Sequence, residues 1–160
     1  MHKAVASVAY IGFLPFAPGT FGSLAGVILG LVIQMLGGLP LLLISIFIIF
    51  IVGWYSSHYY ILTKKVQKDP QEIVIDEVSG QLLSYLPISI YLWWFNYDSF
   101  HSTLFDWSLA FILFRFFDIL KPWPISWADN IDTALGVMLD DLIAGFYSAI
   151  LIGGIILFFK

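Results

Sequence analysis

Residues 39–62 (LPLLLISIFIIFIVGWYSSHYYIL) contain no acidic residue, lysine or arginine, and they are long enough to cross the hydrocarbon core of a membrane as a helix. Four more apolar runs of helical length lie at 21–38, 73–95, 104–120 and 135–159. The chain is 60% hydrophobic and only 11% charged, whereas about a quarter of a soluble domain is charged. A domain of this size cannot bury that much apolar surface. The sequence therefore predicts an all-α, polytopic integral membrane protein, a helical bundle with about four to five membrane-embedded helices.

The length of 160 residues predicts one membrane-embedded domain over residues 1–160. Pro87 predicts a kink within the third run. The runs at 21–38 and 104–120 are short, so each fits either a span or a buried or re-entrant helix. The segment KPWPISWADNIDT, which follows the fourth run, is expected to be a loop. The N-terminal segment has no small-residue cleavage site and is expected to be retained.

The basic residues predict the orientation of the helices, because cytoplasmic loops are enriched in lysine and arginine. Lys3 precedes the first run, a lysine cluster (Lys64, Lys65 and Lys68) follows the second, and Lys121 follows the fourth. Five spans with a cytoplasmic N-terminus place all of these lysines in the cytoplasm. The C-terminal Lys160 would then lie outside.

On this topology, ionisable residues from three distant runs reach the same cytoplasmic face. Taken singly, each acidic pair fits an ordinary interfacial position, and an arginine three residues before an aspartate fits a structural ion pair. Taken together, they predict a site. The converging residues are Asp76, Glu77, Arg115, Asp118, Lys121, Asp140 and Asp141. The ionisable residues Asp98, His101 and Asp106 fall on the opposite side.

Converging carboxylates repel one another unless they are protonated or bridged by a cation. Oxygen ligands shared with a phosphate suit Mg²⁺, and Arg115 and Lys121 then remain available to hold phosphate oxygens. The segment PFAPGTFGSLAG places Thr20 and Ser23 near the start of the first run. Backbone N–H groups and hydroxyls at a helix start can hold an anion, although such residues also cap helices routinely. The pattern predicts phosphoryl chemistry.

Four stretches of the chain resemble the phosphatidylglycerophosphatase A family of small bacterial inner-membrane lipid phosphatases. They are PGTFGS at 18–23, VIDEVSGQ at 74–81, FRFFDILKPWPI at 114–125 and GVMLDDLIAG at 136–145. The resemblance implies a Mg²⁺-dependent phosphatase that converts phosphatidylglycerophosphate to phosphatidylglycerol and inorganic phosphate, with its active site facing the cytoplasm. The family's motif acids correspond to Asp76, Glu77, Asp118, Asp140 and Asp141, and its basic residues to Arg115 and Lys121.

The roles of these residues are hypotheses. Asp76, Glu77, Asp140 and Asp141 are expected to bind Mg²⁺, with Asp118 completing the metal shell or orienting Arg115. The expected phosphate-binding residues are Thr20, Ser23, Arg115 and Lys121. Direct attack by water and an aspartyl-phosphate intermediate both remain open. The sequence leaves the oligomeric state and the number of metal ions undetermined.

Two other functions compete with this interpretation. CDP-alcohol phosphotransferases also use acids and a divalent metal at a membrane interface, but their Ala-Arg after the second acidic pair does not occur at Asp140-Asp141. A small cation transporter would place its acids near the midplane of the membrane rather than at helix ends. A phosphohistidine mechanism would need a histidine in the acidic motifs, and none is present. Nothing in the sequence indicates nucleic-acid binding.

Overall fold

The computed structural model describes residues 2–64, 70–97 and 103–159, and every regular element within these ranges is helical. The all-α prediction is therefore confirmed for this part of the chain. Five residues of the predicted topology lie outside the described ranges: Lys65, Lys68, Asp98, His101 and Lys160. In chain order the helices are α1 (His2–Ala6), α2 (Pro18–Lys64), α3 (Ile75–Ser84), α4 (Leu86–Trp94), α5 (Leu104–Leu120), α6 (Ile125–Asp129) and α7 (Ala134–Phe159), with a 3₁₀ turn at Ile11–Phe13.

The first two predicted runs form one helical element, α2, which is broken at Gly38. An unbroken helix of 47 residues would be about 70 Å long, more than twice the thickness of a hydrocarbon core. Gly38 has φ 56° and ψ −143°, a conformation that glycine adopts without steric cost. Pro40, which has no backbone N–H, follows two residues later. The break divides α2 into two arms, 18–37 and 39–64, close to the predicted boundary.

The first arm of α2 runs along α3 in the same direction. Gly22 lies against Val74, just before α3 begins, and Gly30 lies against Leu82 two turns into that helix. Later residues of the first arm thus contact later residues of α3, so the two helices are parallel. The first arm therefore carries the start of α2 to the same end of the bundle as the start of α3.

The second arm returns in the opposite direction. Its early residue Leu42 belongs to the core cluster that contains Tyr85, at the far end of α3. Its late residue Tyr60 clusters with Ile73, which precedes α3. The chain therefore reverses at Gly38, and both ends of α2 lie at the end of the bundle where α3 begins.

The third predicted run is interrupted at Tyr85, which separates α3 from α4. Pro87 lies in the first turn of α4, where its missing N–H costs no helical hydrogen bond. The predicted kink is thus confirmed. The fourth run matches α5, and the fifth matches α7 within a residue at each end. The expectation of a loop after α5 was wrong in part, because Ile125–Asp129 form a short helix, α6, after a turn at residues 122–124.

Two helices, Pro18–Lys64 and Ala134–Phe158, are long and apolar enough to cross a membrane by length and composition. Large apolar side chains on α2 are exposed, among them Ile28 at 64%, Leu36 at 76% and Phe47 at 67%. A protein surrounded by water rarely exposes so continuous an apolar surface. The structure is therefore consistent with a membrane protein, and the number of four to five membrane-embedded helices stays a prediction.

Candidate active site

Helices α3 and α7 meet backbone to backbone at Gly80 and Gly145. A Cβ atom added at Gly80 would lie 2.5 Å from the Asp141 carbonyl oxygen and 2.6 Å from the Phe114 ring, and one added at Gly145 would clash with the Gly80 carbonyl. Glycine permits this close approach because it has no side chain. Asp76 and Asp141 each lie one turn before one of these glycines. The contact therefore brings the two carboxylates to the same level.

Asp76, Glu77 and Asp141 form a carboxylate trio. One oxygen from each side chain lies within 4.8 Å of the other two. Asp76 is only 4% exposed and Asp141 only 3%. The Oε2 atom of Glu77 is buried and has no hydrogen-bond partner. Buried carboxylates at this separation repel one another strongly, so the arrangement calls for neutralisation by protons or by a cation.

Arg115 reaches the trio from α5. It forms an ion pair with Asp118 one turn later on the same helix, and its Nη1 donates a hydrogen bond to Ser23 Oγ at 3.3 Å. Asp118 lies close enough for its charge to act on both Glu77 and Asp141. The Arg115 Nε–H is buried without a partner. The guanidinium group is therefore held in place beside the acids, and one of its N–H groups makes no hydrogen bond.

Lys121 ends α5 in a left-handed conformation, with φ 43°. Its Nζ donates a hydrogen bond to Asp140 at 2.7 Å and also contacts Asp129. Burial alone would lower the pKa of Lys121, but the two carboxylates outweigh burial and the net pKa is raised. The lysine is therefore held as an ammonium group. Asp140 faces this lysine rather than the trio.

One cleft of about 520 Å³ reaches from Glu77 of the trio to Lys121. Its charged lining comes from Glu77, Arg115, Asp118 and Lys121, and residues 14–19 supply much of the opposite wall. Gly19 in that wall lies against the trio, because a Cβ atom there would meet the Glu77 carboxylate and lie 3.3 Å from Arg115 Nη1. The cleft offers a ligand two cationic donors beside a cluster of acids.

The structure brings the predicted site residues together in two groups. In the first group, Asp76, Glu77 and Asp141 form the trio, and the ion pair of Arg115 and Asp118 lies beside Glu77; in the second, Asp140 pairs with Lys121. Of the predicted phosphate ligands, Arg115 and Lys121 line the cleft, Ser23 is buried against Arg115, and Thr20 is half-buried beside Gly19. The metal and phosphate roles of all these residues stay predictions.

Sequence reasoning missed Asp129 and the contact of Gly19 with Glu77. Asp129 lies at the end of α6, in the segment that was expected to be a loop. The available signal was its position eight residues after Lys121. Three further acids follow it between residues 130 and 141. Without the fold, that spacing does not distinguish a contact from a solvated loop.

Comparison with known proteins finds relatives over most of the chain. Residues 4–156 match the sequence model of phosphatidylglycerophosphatase A. A phosphatidylglycerophosphatase A from Haemophilus influenzae is 37% identical, with 88% of this chain and 80% of the relative covered. The one from Escherichia coli K12 is 32% identical, covering 86% of this chain and 73% of the relative.

A third relative, from Bacteroides thetaiotaomicron, bears the name "Putative phosphatidylinositol-3-phosphatase" and is 32% identical over 88% of this chain and 84% of its own length. No solved structure matches the chain. A helical chain with this site and these relatives is a phosphatase. It belongs to the phosphatidylglycerophosphatase A family.

Proposed function

We propose that this protein is a Mg²⁺-dependent membrane phosphatase that removes the terminal phosphate of phosphatidylglycerophosphate, giving phosphatidylglycerol and inorganic phosphate. The observation that carries the proposal is the carboxylate trio beside Arg115 and Lys121, in a chain of this family. The Haemophilus and Escherichia relatives bear the name of this activity.

The donor set of the trio fits a hard divalent cation. All ligand atoms of Asp76, Glu77 and Asp141 are carboxylate oxygens within 4.8 Å, and the buried Glu77 Oε2 still lacks a partner. Mg²⁺ prefers one or two carboxylates together with phosphate oxygens and water. When bound, it supplies positive charge that offsets the acids and the phosphoryl group. We assign Asp76, Glu77 and Asp141 as the ligands, with Asp118 orienting Arg115.

Arg115 and Lys121 act as the phosphate-binding groups of the chain. Ser23 and Asp118 hold the Arg115 guanidinium in one orientation, so its free N–H can donate to a phosphoryl oxygen without further ordering. An ammonium group has three N–H donors. Lys121 uses two for Asp129 and Asp140, and its third is available to the cleft. These donors stabilise charge that develops on the phosphoryl oxygens.

The reaction breaks the bond between phosphorus and the glycerol oxygen. A water molecule supplies the new oxygen on phosphorus, either directly or after attack by a carboxylate of the site, and one of its protons ends on the leaving alcohol. Both routes need the same donors on the phosphoryl oxygens. The positions of Arg115 and Lys121 therefore support the proposal whichever route operates.

We place the protein in the bacterial inner membrane with the cleft facing the cytoplasm. Two long apolar helices and their exposed side chains support the membrane setting. Lys3 and Lys64 lie at the same end of the bundle as the start of α3, and the positive-inside rule assigns that end to the cytoplasm. The substrate's acyl chains would then lie beside α2 and its headgroup would reach the cleft.

A phosphoinositide is the second candidate substrate, because the Bacteroides relative is named for a phosphatidylinositol 3-phosphatase. The cleft volume of about 520 Å³ is within the usual range for small-molecule sites, about 300–1,000 Å³. Size alone therefore does not exclude the inositol ring. The shorter glycerol headgroup remains the first candidate because two relatives are named for it.

Phosphate release by the purified protein in detergent tests the proposal. The panel contains phosphatidylglycerophosphate, phosphatidylinositol 3-phosphate and a CDP-alcohol, each with Mg²⁺ and with a chelator. We expect release from phosphatidylglycerophosphate alone, abolished by the chelator and restored by added Mg²⁺. Release that persists in the chelator would contradict the metal assignment, and faster turnover of the inositol lipid would reassign the substrate.

A further inference from the structure

A second cleft, of about 280 Å³, opens between α1 and the last turns of α2. It shares no lining residue with the active-site cleft. Its lining contains two lysines, a histidine, a threonine and two tyrosines: His2, Lys3, Tyr59, Tyr60, Thr63 and Lys64. The proposed phosphatase reaction uses none of these side chains.

This second cleft is basic in a chain of net charge −4. The carboxylate of Glu72 lies 3.7 Å from Lys64 Nζ, and the two side chains are 31% and 45% exposed. Exposed pairs of this kind are weak, so the lysine remains available to a ligand. Lys3 Nζ lies 4.4 Å from the centre of the Phe13 ring, and no acid within residues 2–64, 70–97 and 103–159 forms an ion pair with it. The cleft therefore favours an anion.

Tyr60 supplies an independent sign of a ligand. The residue is only 4% exposed, and its hydroxyl group is buried without a hydrogen-bond partner. A buried hydroxyl that makes no hydrogen bond is costly. An acceptor oxygen bound in the cleft would remove that cost. Lys64 Nζ lies 5.8 Å from the centre of the same ring, so an acceptor near Tyr60 would also meet a cation.

The surface beside the cleft is apolar and aromatic. Leu62 is 59% exposed and Tyr55 is 55% exposed, and Tyr55 packs against Tyr59 with ring centres 4.6 Å apart. Tyrosines of this kind are typical of the membrane–water interface. A ligand with an anionic head and apolar chains matches a basic cleft that borders such a surface, whereas a free anion would use only the basic part.

We propose that this second cleft binds the phosphodiester headgroup of an anionic phospholipid that is not the substrate. Lys3 and Lys64 hold the phosphate oxygens, and the Tyr60 hydroxyl donates to one of them. The acyl chains lie along the exposed face near Leu62. The site is separate from the active-site cleft, so binding there does not depend on the proposed catalytic function.

Binding at this site acts on the active site through α1. The Val74 N–H donates a hydrogen bond to the Ala6 carbonyl at 3.0 Å, which attaches the end of α1 to the chain two residues before Asp76. A lipid phosphate that bridges Lys3 on α1 and Lys64 on α2 holds α1 in this position. We therefore expect bound lipid to raise the melting temperature and to increase kcat/KM severalfold.

Lipid binding is measured on the purified protein in a neutral detergent. Dioctanoyl-phosphatidylglycerol is titrated against dioctanoyl-phosphatidylcholine, with binding counted by native mass spectrometry and the melting temperature followed in parallel. Phosphatidylglycerol is also the proposed product, so the titration is repeated in Arg115→Gln, which weakens phosphate binding in the active-site cleft. We expect the anionic lipid to bind and stabilise both proteins, and the zwitterionic lipid to do neither.

Charge variants separate the site from the rest of the surface. Lys3→Gln with Lys64→Gln should weaken phosphatidylglycerol binding about thirtyfold, since each basic residue near an anionic membrane surface contributes about fivefold and the two factors multiply. Lys3→Arg with Lys64→Arg keeps both charges and should bind as the wild type does. Tyr60→Phe should weaken binding by a smaller factor and leave turnover in lipid-free detergent unchanged.

Three results would overturn the proposal. The first is equal binding of phosphatidylcholine and phosphatidylglycerol, and the second is full binding by the double glutamine variant. The third is protection by inorganic phosphate as strong as that by the lipid, which would make the cleft a free-phosphate site. Absence of phosphatase activity in every variant would instead contradict the proposed function and leave the binding result intact.

Discussion

Helix α7 packs closely against α3 at the active-site end of the bundle and more loosely against α4 at the opposite end. At the active-site end, α3 and α7 touch through the backbones of Gly80 and Gly145. At the opposite end, α4 and α7 leave an apolar groove of about 390 Å³, lined by residues that include Trp94 and Gly153. A Cβ atom added at Gly154 would meet no atom within 4 Å.

The difference shows what close packing does in this protein. Acids must be held at fixed positions against their mutual repulsion, and backbone contact between two helices leaves little freedom to move apart. The groove at the opposite end has no charged residue among the described residues that line it, and it can be filled by flexible apolar chains. Changes at the active-site end should therefore alter turnover, whereas changes at the opposite end should have small effects.

The largest effect is expected for Asp141→Asn. The amide is neutral and supplies no anionic oxygen to a cation in the trio, so turnover should fall at least about 10³-fold. Phosphate release and helical circular dichroism are measured together. Asp106→Asn is the matched control, because Asp106 caps the start of α5 and an amide also caps a helix. Activity of Asp141→Asn close to that of the control would exclude the ligand role.

Gly145→Ala compares the two ends within one helix. The added methyl group must displace the Gly80 carbonyl, and we expect the free energy of unfolding to drop by about 3 kcal/mol, with a loss of activity. Gly154→Ala adds the same methyl group to open space and should be neutral or stabilising by up to about 1 kcal/mol. Melting temperatures in detergent measure both. Equal behaviour of the two variants would show that the close contact is not required.

Asp129→Asn tests whether this acid positions Lys121. Loss of one carboxylate contact frees the ammonium group from its fixed orientation, and kcat/KM should fall about tenfold, chiefly through KM. Asp129→Glu should restore part of the loss. The measurement is steady-state kinetics with phosphatidylglycerophosphate at saturating Mg²⁺. A change in melting temperature with unaltered KM would indicate a purely structural role.

The smallest effect is expected for Ser89→Ala near the opposite end. The Ser89 hydroxyl donates a hydrogen bond to Gln34 Oε1 at 2.7 Å between α4 and α2. Its loss should reduce stability by about 0.6 kcal/mol, the average for such bonds in membrane proteins, and leave kcat/KM unchanged. Thermal unfolding and phosphate release are compared in the same preparation. A large fall in turnover would contradict the division between the two ends.

The long helices could be predicted from the sequence because each contains a long apolar run, whereas the five-residue helices α1 and α6 could not. The run at 104–120 coincides with α5 (Leu104–Leu120), and Gly38 breaks α2 at the predicted junction. The convergence of Asp76, Glu77 and Asp141 could also be predicted, because alternating spans bring alternate helix ends to one face. Both results depend on hydrophobicity and chain direction, which are properties of the sequence alone.

The rotation of each helix could not be predicted. Asp140 and Asp141 are adjacent, so their side chains point about 100° apart around α7, and only one of them can face α3. The sequence assigned both to the metal, whereas the structure pairs Asp140 with Lys121. The Gly80–Gly145 contact determines which of the two aspartates faces α3. Predicting that contact requires knowing that α3 and α7 pack against each other through these two glycines. Asp129 was missed for the same reason, since its contact with Lys121 depends on the path of α6.

If the trio acts as proposed, the contact between Gly80 and Gly145 would also limit which lipids can react. Two helices in backbone contact cannot slide or tilt to follow a taller or shorter headgroup, so the height of the carboxylates above the acyl chains is constant. A phosphate reaches them only if its own linker spans that height. The length of the linker between the acyl chains and the phosphate would then determine which lipid phosphates react, because the two helices keep the carboxylates at a constant height.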